Sequence, residues 1–157
     1  MPNELNTTVT MHQFHHRETR ITLEFFPKEL RPGFKRDVCK LLYLLPPWLQ
    51  SLWIGYDCDM DNPASMDVDY EYRVAKCKIG SSYFEPRYHD NTRLKFLTHE
   101  FLHISLNPLF DYALGELKRL TVAESPHQET LREGMRLKVE ACVQDLAHLL
   151  TNQYHRK

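Results

Sequence analysis

Two histidines four residues apart, His99 and His103, constrain this chain more than any other feature. Glu100 follows the first of them, and the surrounding residues carry a helical pattern. On an α-helix, residues i and i+4 project from one face, so both imidazoles can meet one metal ion at about 2.0–2.1 Å. Glu100 lies about 100° further round, where its carboxylate can reach a metal-activated water without ligating the metal. Leu94, Leu97, Phe101 and Ile104 form an apolar face, and Phe96, Leu102 and Leu106 flank the histidines. A helix that is apolar nearly all round is buried, and two histidines without a role are costly there. The spacing therefore predicts a metal site, with a satisfied core histidine pair as the plainer alternative.

A catalytic zinc takes three protein ligands and leaves a position for water. A third histidine six residues after His103 would complete one common pattern, but that position is Leu109. The other solution is a glutamate on a later helix. Glu129, Glu133 and Glu140 fall within about 40° of one another on a helical wheel, so face alone does not choose. Burial favours Glu140, which is framed by Leu137, Val143 and Ala147, with Val139, Leu146 and Leu150 continuing the apolar stripe. A carboxylate among apolar groups needs a positive partner. Glu133, Glu124, His127 and Asp111 remain as alternatives.

The rest of the chain reads as a small α+β domain. Residues 1–17 are polar, hold His12, His15 and His16, and are expected to form a flexible or loosely packed segment; 18–157 form a single domain. Thr19–Phe26 alternates as a strand. Glu29–Leu45 has helical spacing and is stopped by Pro46 and Pro47. Ser51–Cys58 is a second strand. The acidic stretch Asp57–Asp69 starts like a calcium loop but has Asn62 where glycine is needed and Val68 where glutamate is needed, so a solvated loop is expected. Asp69–Phe84 reads as a long strand or hairpin beside the histidine helix, able to line a substrate cleft as a sheet edge. The histidine helix is expected over Thr92–Leu106, closed by Asn107 and Pro108, and a long last helix over Gln128–Tyr154. The predicted architecture is a small mixed or antiparallel sheet packed against an N-terminal helix, the HExxH helix and a long C-terminal helix.

Composition narrows the function. A formal net charge of −1 gives no long-range field for nucleic acid or a membrane surface. No apolar run is long enough for a transmembrane span, and no leader is visible. The four cysteines form no CxxC pair and read as thiols of a reducing, cytoplasmic protein.

Leu97–His103 (L-T-H-E-F-L-H) and Lys138–Ala147 (K-V-E-A-C-V-Q-D-L-A) give the chain a resemblance to minimal gluzincin-type zinc metallopeptidases. It is similar to the small phage and bacterial proteins related to ImmA/IrrE peptidases. The resemblance implies a zincin-like fold, zinc on His99, His103 and Glu140, Glu100 as general base, and a protein or peptide substrate. Larger gluzincins often carry an aspartate four residues after the distal glutamate; here that residue is Gln144. For the oxyanion, Tyr112, His127, Tyr83 and His89 are candidates. The alternative function is a non-catalytic, peptidase-like module that binds a regulatory partner protein.

Overall fold

The computed structural model describes residues 11–24 and 26–153. Five strands and three α-helices follow one another: β1 (His12–His16), β2 (Thr19–Glu24), α1 (Arg31–Leu41), β3 (Ser51–Asp57), β4 (Ala64–Asp69), β5 (Val74–Gly80), α2 (Asp90–Leu120) and α3 (Pro126–Gln153). The strands form one mixed sheet in the order β1-β2-β3-β5-β4. Its two edges are antiparallel hairpins, and β2, β3 and β5 run parallel between them. Parallel neighbours need a crossover, and α1 supplies the one between β2 and β3.

Alternation decides which way the sheet faces. Ile21, Leu23, Leu52, Ile54, Ala75, Cys77 and Ile79 point inward at every second position and are buried. They pack against Phe34, Val38 and Leu41 of α1 and Leu94, Leu97, Phe101 and Ile104 of α2 in a single core. On the other face, the Trp53 ring lies flat over Gly55, where any β-carbon would meet it at 2.1 Å. The Trp53 indole N–H donates to the Glu24 carboxylate. A second cluster, Leu102 with Val143 and Ala147, fixes α3 against α2. The architecture is therefore α+β, with a mixed sheet. Among the described residues no helix is long and apolar enough to cross a membrane.

Four local expectations are corrected. First, of residues 1–17 expected to be loosely packed, 1–10 lie outside the described residues, but His12–His16 pair with Thr19–Leu23 as an edge strand. Arg17 makes the tight turn with φ 54°, in the left-handed region. Second, the acidic stretch is not loop throughout, because Ala64–Asp69 is β4, with Ala64, Met66 and Val68 packed on the core. Third, the long strand or hairpin expected over Asp69–Phe84 is a strand that begins only at Val74, and its hairpin partner is the preceding β4. Asp69 Oδ1 accepts from the Tyr72 N–H at 3.1 Å and Arg73 takes φ 56°, which together close the β4–β5 hairpin. Fourth, α2 does not stop at Asn107 and Pro108 but runs through them to Leu120. Proline removes one hydrogen bond of the helical ladder, and the packing of Leu106 and Val139 beside Leu102, Val143 and Ala147 offsets that loss.

Leu97 is completely buried at the centre of this packing. Leu97→Ala is expected to destabilise the fold by about 2–5 kcal/mol. A lowered denaturant midpoint at unchanged slope would show it; a midpoint like that of the unmodified chain would contradict the assigned core.

Candidate metal centre

The middle of α2 is pressed onto β5 and β4 by its apolar face, which turns His99 and His103 sideways toward α3. There α3, held by Val143 and Ala147, presents Glu140 one turn earlier on its inner side. The three side chains converge. His99 Nε2 is 3.1 Å from His103 Nε2, 3.4 Å from Glu140 Oε2, and His103 Nε2 is 3.7 Å from Glu140 Oε1. Among the described residues this is the group of histidine, cysteine and acidic side chains that could hold a metal.

The separations fit that reading better than a hydrogen-bonded cluster. Donors at about 2.0–2.1 Å around a tetrahedral ion lie roughly 3.3 Å apart, whereas hydrogen bonds to nitrogen would close to about 2.7–3.2 Å. Only the histidine pair is that short. Asn107 Oδ1 lies 3.1 Å from His103 Nδ1. It can only accept there, so it fixes the proton on Nδ1 and leaves Nε2 with a free lone pair. The Nδ1 of His99 is buried without a hydrogen-bond partner. Gln144 is close enough to His99 to favour its protonated form, although it does not reach Nδ1 in hydrogen-bonding geometry.

Electrostatics prepare the same atoms. Burial, then the neighbouring His103, lower the His99 pKa against the opposing pull of Glu140 and Gln144. A neutral imidazole is the form that binds a metal. Burial, then the Glu140 carboxylate, raise Glu100 from its ordinary 4.5 to about 7. That is the range where a carboxyl group both takes and returns a proton near neutral pH.

His99, Glu100, His103 and Glu140 open into one cavity of about 400 Å³. Ala64, Ser65 and Met66 of β4 form one wall, and Phe110, Asp111, Arg136 and Val139 of the two long helices form the far end. Comparison with models of protein families, with curated proteins and with solved structures finds no match.

The other ligand candidates are placed elsewhere. Glu133 is engaged by Arg136 in two hydrogen bonds of 2.9 and 2.6 Å, Glu124 sits at a turn with φ 56°, His127 is exposed in the first turn of α3, and Asp111 lines the cavity without joining the cluster. The oxyanion candidates fare no better. Tyr83 is buried in the aromatic core against Phe34, Tyr112 is 67% exposed, His89 precedes the first turn of α2, and none of the four lines the cavity. Two further residues that line the cavity, Asn107 and Arg136, are not among the candidates named from the sequence. Both stand at helical spacing from a ligand, Asn107 four after His103 and Arg136 four before Glu140, which is the signal that could have found them.

Asn107→Ala is expected to weaken metal binding about 10–100-fold by releasing the His103 ring. Asn107→Asp should retain it, since a carboxylate accepts the same proton. Competition against a chromophoric chelator reads both, and equal affinities for all three proteins would remove Asn107 from the site.

Proposed function

We propose that the protein is a zinc-dependent hydrolase, a peptidase of minimal zincin-like build, with zinc held by His99, His103 and Glu140. The observation that carries this reading is the convergence of three lone-pair donors at tetrahedral spacing beside the half-buried carboxyl group of Glu100. Two neutral nitrogens and one carboxylate are the donor set of catalytic rather than structural zinc. Bound there, zinc would supply Lewis acidity, acidifying a water and polarising the bond to be split. Glu100 would accept a proton from the attacking water and return it to the leaving amine.

A peptide as substrate is supported by the sheet edge. The Gly80 N–H donates to the Pro63 carbonyl at 3.0 Å. In an antiparallel pair, hydrogen-bonded and free positions then alternate. Ser65, Asp67 and Asp69 therefore turn their main chain toward β5, while Ala64, Met66 and Val68 turn theirs to the open edge. Ala64 and Met66 line the cavity, so an extended peptide could add to β4 through main-chain hydrogen bonds and pass beside Glu100.

The test is an unbiased peptide mixture incubated with the zinc-loaded protein. Cleavage that a chelator stops and added zinc restores is the expected result. Stoichiometric zinc without any cleavage would instead favour the non-catalytic binding module.

A further inference from the structure

Beyond Ile104, α2 leaves the core. Residues 105–142 comprise the second half of α2, the turn and the first half of α3; all are described and none is buried. Helices of this length draw most of their stability from packing an apolar face, and here much of that face is uncovered. An open groove of about 650 Å³ runs between the two helices, lined among others by Leu106, Leu109, Phe110, Leu131, Met135 and Val139. Leu109 is 68% and Leu131 38% exposed. Along α2, Leu106, Phe110, Ala113, Leu117 and Leu120 repeat at alternating spacings of four and three, the pattern of helices that pack side by side in bundles.

Charge indicates what covers the groove. Residues 105–142 carry six acidic groups (Asp111, Glu116, Glu124, Glu129, Glu133, Glu140) and five basic ones (Lys118, Arg119, Arg132, Arg136, Lys138). Three of these pairs close within their own helices, Arg119 with Glu116, Arg132 with Glu129 and Arg136 with Glu133. An arm whose charges nearly cancel offers little field to select an oppositely charged partner, and it meets little net repulsion from an identical arm. Each limb is about 25 Å long. Two limbs side by side present on the order of 500 Å² in plan, so two such faces with their side-chain relief approach the lower range of specific interfaces, about 1,200 Å² in total.

We propose that this arm is a self-association surface: two copies pack their α2–α3 arms groove to groove about a two-fold axis, forming a four-helix bundle. The occupant is a second copy of the chain, and the inference stands independently of zinc or catalysis.

Light scattering and sedimentation equilibrium on the full chain, from micromolar concentration upward, test it. The expected mass is twice that of one chain. Leu131→Glu, at a surface position, should return the mass to one chain with unchanged far-UV circular dichroism. Cys142 lines the groove, while Cys39 and Cys58 are exposed elsewhere. Maleimide should therefore label Cys142 about tenfold more slowly than the other two in the associated protein. Should the glutamate variant fail to fold, Cys142 protection in the unmodified chain decides. A single-chain mass at every concentration, or a dimer in which Cys142 reacts as fast as Cys39, overturns the proposal.

Discussion

Glu140→Ala is expected to lower zinc affinity by roughly two to four powers of ten. A structural zinc site with four ligands contributes about 10–16 kcal/mol of binding free energy, so one ligand of three removes on the order of 3–5 kcal/mol. The loss arises twice over. The carboxylate donor disappears, and the two histidines, whose Nε2 atoms are only 3.1 Å apart, lose the negative charge that supports a cation between them. Glu133→Ala is the informative control, because Glu133 shares nearly the same helical face but is engaged with Arg136 in two hydrogen bonds. Its affinity should match that of the unmodified protein. The opposite pattern, with Glu133→Ala losing zinc and Glu140→Ala retaining it, would reassign the third ligand.

Glu100→Gln should keep the metal and lose the chemistry. A positioned general base contributes about 10²–10⁴-fold to such a step, so turnover should fall by at least that range while zinc titrates as before. The same substitution has a second readout in the metal-free protein. Glu100 titrates near 7 in the fold against an ordinary 4.5. Below pH 4.5 both folded and unfolded chains hold the proton, and the group costs nothing. As pH rises from 4.5 to about 7 the unfolded chain releases its proton first, and stability falls by about 3 kcal/mol in all. Glutamine never ionises. In chelator, Glu100→Gln should therefore be more stable than the unmodified protein above pH 7 and similar to it near pH 4.5. Parallel stability curves across this window would mean that Glu100 is not held in a desolvated position.

The two results separate cleanly because the proposed ligands and the proposed base, though neighbours in sequence, are presented by different surroundings. His99 and His103 turn to α3, whereas Glu100 turns toward β5, where Cys77 is buried close enough to feel its charge. Part of this arrangement was legible in the sequence. Spacing of four put the histidines on one face, but the burial expected to favour Glu140 hardly separates it from Glu133, the two side chains being 42% and 50% exposed; what brings Glu140 to the histidines is its place along α3. Val143 and Ala147 are fully buried beside Glu140, although Leu137 is 54% exposed and belongs to the outer side of α3.

What stayed illegible depended on contacts that no local pattern encodes. Pro108 is a helix breaker by its own chemistry, and only the packing of α3 along α2 explains why the helix continues to Leu120. In β4 the period-two pattern is present, Ala64, Met66 and Val68 inward and Ser65, Asp67 and Asp69 outward. Its acidic residues resembled those of the preceding loop and hid it. His12–His16 pairs as a strand because β2 offers it a free edge, which cannot be read from five polar-rich residues alone. Tyr112, His127, Tyr83 and His89 have the chemistry of an oxyanion donor, but packing sets position. Tyr83 lies in the core, and Arg136, outside that set, lines the cavity.

X-ray absorption at the zinc K-edge, on protein loaded with one equivalent, decides whether His99, His103 and Glu140 together hold the ion. A shell of nitrogen and oxygen only, with the outer scattering of two imidazoles, is predicted. Zinc–sulfur scattering would contradict it, since Cys39, Cys58 and Cys142 are exposed thiols that could bind the metal instead.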